Sequence, residues 1–143
     1  MEFVEGVTMD ELELEERQIV EKELEGHLAT MRNLKSRHWG GPSGIVVPPY
    51  RVLNNSARPL WSMKIRDSED LVFCHNDFST HNVLVDPKTL KVNAILDWEY
   101  AGFFPQEFEG MYFRRPGPSV ALGDEAHDED ELLSIMNANC LPL

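Results

Sequence analysis

Three short apolar runs lie within residues 71–96: Leu71-Val72-Phe73-Cys74, Asn82-Val83-Leu84-Val85 and Val92 to Leu96. Runs of four or five residues are too short for helices and read as buried strands. Asp86-Pro87-Lys88-Thr89, between the last two, is a turn signal, so those two strands pair as a hairpin. The chain around them must place its core against this small β element.

Upstream, Thr8-Met9-Asp10-Glu11 has the form of a capping box. Behind it Val20, Leu24, Leu28, Met31 and Leu34 fall three and four apart, which predicts one apolar helix stripe over roughly 9–36. His27 lies near that stripe and reads as a packed or half-exposed side chain. From Arg37 to Leu60, Gly40, Gly41, Pro42, Gly44, Pro48, Pro49 and Pro59 break any regular pattern. Ile45-Val46-Val47 reads as a short strand inside that loop. Pro116-Gly117-Pro118 marks another loop. Asp128 to Met136 predicts a terminal helix, with Asp128 and Glu131 as its capping pair and Leu132, Leu133 and Met136 as its buried side.

The 143 residues fit one unit. Twenty-five acids against thirteen bases give a net charge of −12, which argues against a nucleic-acid partner. The charge is uneven: ten acids and two bases in residues 1–25, seven and nine in 26–102, eight and two in 103–143. Acidic ends of this kind read as solvated faces or as an attraction for a cationic ligand. No apolar run of about 20 residues exists, so no membrane span is expected. Cys74 and Cys140 make no disulfide framework, and a cytoplasmic, reducing location is the expectation.

The chemistry concentrates between the strands. Cys74-His75-Asn76-Asp77-Phe78-Ser79-Thr80-His81-Asn82 contains His-x-Asp-x-x-x-x-Asn, and Asp97 follows at the end of the next strand in Leu96-Asp97-Trp98-Glu99. Three polar groups at strand ends around one hairpin can converge. Phosphoryl transfer from ATP needs a carboxylate that accepts the proton of an attacking hydroxyl, and oxygen ligands that hold Mg²⁺ on the phosphates. Asp77 suits the first role, and Asn82 and Asp97 the second, since magnesium takes few protein oxygens and keeps waters.

This stretch resembles the catalytic loop of the aminoglycoside phosphotransferase and choline kinase-like family, which shares the protein-kinase-like fold. That family joins a His-Gly-Asp…Asn loop to Ile-Asp-Trp-Glu. The likeness continues through Tyr100-Ala101-Gly102-Phe103-Phe104-Pro105 and Arg115-Pro116-Gly117-Pro118-Ser119, and is nearest to the fungal branch. It is strong across 71–123, fair across 1–36 and poor across 37–70. The resemblance implies an α+β fold: the mainly helical C-terminal lobe of a protein-kinase-like fold, with a small β-hairpin carrying the catalytic loop. It makes Asp77 the catalytic base, His75 the histidine that packs and orients the loop, and Asn82 and Asp97 the magnesium ligands through which ATP is held. Glu99 either assists the site or pairs locally. Two positions depart from the pattern. Asn76 stands where the family has glycine, and His81 where it often has a small residue.

The family's N-terminal lobe supplies a glycine-rich strand pair and a strand lysine. These 143 residues hold neither Gly-x-Gly-x-x-Gly nor Gly-x-x-x-x-Gly-Lys-Ser/Thr, and the five lysines (22, 35, 64, 88, 91) all follow the opening segment. Met1 to Gly6 resembles the hinge strand between lobes. The expected organisation is one C-terminal-lobe unit over 1–143, with the N-terminal lobe absent. It divides into a hinge-like segment (1–7), a long helix region (8–36), a Gly/Pro-rich region (37–70), the catalytic loop and metal-binding hairpin (71–102), and C-terminal loops and a helix (103–143).

The expected activity is ATP- and magnesium-dependent phosphorylation of a hydroxyl on a small molecule, with an acidic surface suited to a cationic acceptor such as an aminoglycoside or choline. Two other readings stay open. One is a non-catalytic binding or regulatory fragment. The other is a metal-dependent hydrolase that uses His75, Asp77, His81 and Asp86, whose spacing could ligate zinc. An exposed hinge surface could drive self-association. Trp39, Trp61 and Trp98 read as packing residues, with Trp98 anchoring the loop after Asp97. Arg114-Arg115 reads as a solvated pair and Cys74 as inert.

Overall fold

The hairpin forms because the Asp86 side chain closes its turn. Asp86 Oδ1 accepts the N–H groups of Lys88 (2.8 Å) and Thr89 (3.3 Å). The flanking strands, β4 (Val83–Val85) and β5 (Val92–Ile95), then pair antiparallel, Val83 opposite Ile95 and Leu84 opposite Ala94. The structure is a computed structural model that describes residues 3–56 and 61–141. Met1 and Glu2 of the hinge-like segment, and Pro59 and Leu60 of the irregular stretch, lie outside the described residues.

Two antiparallel sheets of three strands make the β part. One runs β1-β4-β5, with β1 at Val7–Thr8. The other runs β2-β3-β6, with β2 at Lys35–Ser36, β3 at Leu71–Cys74 and β6 at Gly102–Phe104. Among the described residues three α-helices accompany them: α1 (Leu14–Arg32), α2 (Tyr50–Leu53) and α3 (Glu129–Asn139). The class is α+β, consistent with a kinase-like fold. Among the described residues the three α-helices have 19, 4 and 11 residues, against strands of two to four residues each. Recurrent Gly and Pro keep most of 37–49 and 105–128 irregular, with short 3-10 pieces in the latter, and 61–70 is irregular as well.

The core has two halves. Under α1, the side chains of Val20, Leu24, Leu28 and Met31 meet Phe78, Val83, Val85 and Phe113. Around β3 and β6, Trp39, Leu71, Cys74, Phe104 and Phe108 pack with Leu132 and Met136 of α3. Val72 and Cys74 of β3 enter the second half, while Phe73 packs against the first. A strand covered on both faces reads as the unbroken apolar run seen in the sequence. Glu23 of α1 ties the helix to the hairpin by accepting the Val92 N–H at 3.0 Å.

Four expectations shift. The Thr8–Glu11 box is real, with the Glu11 carboxylate accepting both the N–H and the hydroxyl of Thr8, but it caps a 3-10 turn at Met9–Glu11 rather than α1. Met9 is fully buried there, and Leu12 turns extended before the α-helix begins. Leu34 falls beyond the helix end and is 54% exposed. Residues 45–47 form no strand, and Ile45 faces solvent. β6 adds a strand beyond the three apolar runs. It is only three residues long, and it packs because Gly102 and Gly40 touch backbone to backbone: a Cβ at Gly102 would lie 2.8 Å from the Gly40 carbonyl carbon.

The fourth shift concerns Asp128, which makes no side-chain cap on α3. Its carboxylate takes a paired contact from Arg51 instead, at 2.8 and 2.9 Å, while Arg51 also donates to the Phe108 carbonyl at 3.1 Å. Arg51 is buried, so removing its partner strands a charge. Asp128→Ala is expected to cost about 3 kcal/mol, the lower end for breaking a buried pair because the Phe108 contact survives. The shift of the urea unfolding midpoint measures it.

Candidate active site

β3 ends at Cys74, the last residue paired with β6. The next two backbone N–H groups do not stay unpaired. Both are taken by the buried carboxylate of Glu109, one oxygen on the His75 N–H and the other on the Asn76 N–H (3.0 Å). Burial pushes Glu109 up to about 7, opposed by the two N–H groups and then by the Arg51 and Arg32 guanidinium groups. The chain turns at Asn76, whose φ of 69° is left-handed. Asparagine is among the few non-glycine residues that tolerate this region. Its side-chain N–H₂ donates to the Tyr100 carbonyl at 3.1 Å.

His75 is fully buried and both ring nitrogens are used. Nδ1 accepts the Asp77 N–H at 3.1 Å, and Nε2 meets the Leu96 carbonyl at 2.7 Å. With Nδ1 accepting, Nε2 must carry the proton and the ring is neutral. Burial holds its pKa below the ordinary histidine value, offset in part by the Leu96 carbonyl. The ring lies against Phe78 and, at 4.5 Å between centroids, against Trp98. His75 therefore joins the loop that starts Asp77 to the turn that starts Asp97, and has no free nitrogen for proton transfer.

The loop closes through Asn82, whose side-chain N–H₂ donates to the Asp77 carbonyl at 2.8 Å. The Asn82 carbonyl accepts the Leu96 N–H at 2.7 Å, which extends the hairpin to the residue before Asp97. Asp97 itself has φ 57° and is exposed. Trp98 is 42% exposed yet anchored, its indole N–H donating to the Ile95 carbonyl at 2.7 Å and its ring stacked on Phe73. Glu99 is exposed and makes no hydrogen bond among the described residues.

Three oxygen groups remain without protein donors among the described residues: the Asn82 amide oxygen, the Asp97 carboxylate and one Asp77 oxygen. The other Asp77 oxygen accepts the Ser119 hydroxyl at 2.8 Å. A neutral amide oxygen and carboxylates are hard donors and fit Mg²⁺, which needs few of them. The zinc set is not assembled. His81 is exposed and lies 3.5 Å from Asp10, Asp86 is spent on its turn, and His75 on its two backbone contacts. Among the described residues, no three His, Cys, Asp or Glu side chains are grouped to hold a metal.

Sequence reasoning misses Glu109, and it includes Ser119 in the likeness over 115–119 without a role. Glu109 looks like any other acid of an acidic segment. Arg114 and Arg115 also part company. Arg114 reaches Glu25 at 3.3 Å on the surface, whereas Arg115 organises the loop that carries Ser119. Cys74 is buried, with its thiol pushed up by burial and by Glu109, as an inert side chain would be.

Comparison with known protein families matches the part of the chain that carries this site. Residues 51–109 match the model of the phosphotransferase enzyme family. That span contains His75, Asp77, Asn82, Asp97 and Glu109. It reaches into the 37–70 stretch, where the motif resemblance is poor, and stops before Ser119. The chain is also 35% identical, over 69 residues, to "Probable choline kinase 1" of Arabidopsis thaliana. The match covers 47% of this chain and 20% of that protein, so it spans about a fifth of the relative's length. No solved structure matches the chain. No helix among the described residues is long and apolar enough to cross a membrane.

Proposed function

We propose that residues 71–102 form the acceptor-activating and magnesium-holding part of an ATP-dependent small-molecule phosphotransferase, and that the chain corresponds to the C-terminal lobe of a kinase-like fold. The observation that carries this reading is the His75 bridge. It fixes Asp77 and the Asp97 turn against each other, while one Asp77 oxygen, the Asn82 amide oxygen and the Asp97 carboxylate stay without protein donors among the described residues.

Asp77 accepts the proton of the acceptor hydroxyl through its free oxygen. Asn82 and Asp97 hold magnesium, which when bound neutralises charge on the transferring phosphate. Asn82 keeps its amide oxygen free of protein donors because its N–H₂ is committed to the Asp77 carbonyl. A glycine-rich cover over the phosphates and a lysine on them complete such a site, and the sequence holds no Gly-x-Gly-x-x-Gly. The acceptor is a hydroxyl-bearing small molecule, and a net charge of −12 favours a cationic one.

Calorimetric titration of magnesium–ATP into the full chain, with a transfer assay against choline and aminoglycosides, tests the proposal. Asp97→Ala is expected to weaken magnesium-dependent nucleotide binding about 100-fold, since loss of even an outer partner of a metal ligand costs about 10–100-fold. Equal affinity in the variant would remove Asp97 as a ligand. Binding without transfer to any acceptor would favour the non-catalytic module.

A further inference from the structure

The segment Arg115-Pro116-Gly117-Pro118-Ser119 lies outside the family match, yet it reaches the centre of the site. We propose that Ser119 is a positioning residue for the Asp77 carboxylate, held there by a clamp built on Arg115. The inference rests on Asp77 being the base.

The clamp is specific. Arg115 donates through Nη1 to the Pro118 carbonyl at 2.7 Å and through Nη2 to the Val120 carbonyl at 2.6 Å, so it grips the backbone on both sides of Ser119. Its Nε and Nη2 also hold the Glu125 carboxylate at 3.0 and 2.8 Å, and its guanidinium sits 5.0 Å from the Tyr112 ring centre. Glu125 in turn accepts the Leu122 N–H at 2.8 Å, which closes the loop on itself. Arg115 and then the Leu122 N–H hold the Glu125 carboxyl down to about 2, so the clamp stays charged across the working pH range. A planar fork with five donors suits this task, and lysine could not replace it.

The consequence falls on Asp77. A carboxylate rotates about its last torsion through broad minima. The Ser119 hydroxyl donates to Oδ1 and fixes that torsion, which leaves Oδ2 as the oxygen presented to an acceptor hydroxyl. A hydroxyl is small enough to pin one oxygen without covering the other. No charge is added beside the base.

Ser119→Ala, Ser119→Thr and Arg115→Met in the full chain test this. Ser119→Ala is expected to lower kcat about tenfold, the cost of a lost hydrogen bond to a charged group, with KM for ATP and acceptor unchanged. Ser119→Thr restores kcat, Arg115→Met reproduces the loss, and the double variant is no worse than the worse single one, because the two act through one contact. Thermal melting of Ser119→Ala stays a single cooperative transition, so the fold survives the lost contact. The Asp77 carboxyl carbon resonance, read by NMR at fixed pH, moves in Ser119→Ala and in Arg115→Met.

A rise in kcat for Ser119→Ala would overturn the proposal and make Ser119 a competitor of the acceptor. An unmoved Asp77 resonance would overturn it whether or not the chain transfers phosphate. A moved resonance in a chain that transfers none supports the contact and sinks the phosphotransfer reading alone.

Discussion

Asp77→Asn is expected to abolish detectable phosphoryl transfer, a loss of about 10²–10⁴-fold, while magnesium–nucleotide binding stays within about twofold of wild type. The two side chains have the same shape, and the Asn amide oxygen can still accept the Ser119 hydroxyl that Asp77 Oδ1 accepts now. The backbone contacts of position 77, to the His75 ring and the Asn82 amide, involve no side-chain atom of Asp77 and survive. What disappears is an oxygen able to take a proton. Binding falls to Asn82 and Asp97, so the variant separates proton acceptance from metal holding. Single-turnover and equilibrium binding measurements on one preparation read the two. Turnover near the wild-type rate would remove Asp77 as the base, and a large loss of binding would make it a metal ligand instead.

The hairpin and the polar residues around it are legible in the sequence because both depend on local chemistry. Asp86-Pro87 makes a turn that its neighbours can satisfy, and apolar runs on either side have nowhere to go but a buried pair. The start of α1 departs from its sequence signal for a reason equally local. Thr8 and Glu11 do cap a turn, but Met9 is drawn fully into the core, and the chain straightens at Leu12 before helix resumes. Asp128 leaves its cap position because its partner, Arg51, is 77 residues away. The roles of Ser119 and Glu109 are invisible in the sequence for the same reason. Each acts on a loop more than 30 residues distant, and nothing in a serine beside prolines, or a glutamate in an acidic segment, reports that. Roles set by long-range contact need the fold.

Glu109 makes the strongest pH prediction. Its folded-state pKa, about 7, is above the ordinary value of 4.5, because burial disfavours the charged form. The folded chain therefore holds a proton that the unfolded chain releases. The resulting stability is complete below about pH 4.5 and is lost as pH rises through about 7. At about 1.4 kcal/mol for each pH unit separating the folded and unfolded values, the loss amounts to about 3 kcal/mol. His75 acts in the opposite sense: burial lowers its pKa, so its contribution is lost as pH falls through the ordinary histidine range. Glu109→Gln isolates the first effect. Relative to wild type, the variant should gain about 2.5 kcal/mol between pH 5 and pH 8 in urea unfolding; a pH-independent difference would refute the assignment.

The same titration reaches the site, because the two oxygens of ionised Glu109 each hold one N–H of the loop that begins at His75. Protonation leaves one of those oxygens a donor, and one N–H loses its acceptor. The form that costs global stability is thus the form that grips the loop carrying Asp77. Amide hydrogen exchange at His75 and Asn76, corrected for intrinsic rates, should show greater protection at pH 8 than at pH 5, while the β4 and β5 amides change in step with global stability in the other direction. Equal protection at the two pH values would separate Glu109 from the loop, and opposite trends within one molecule are what a carboxylate serving both would produce.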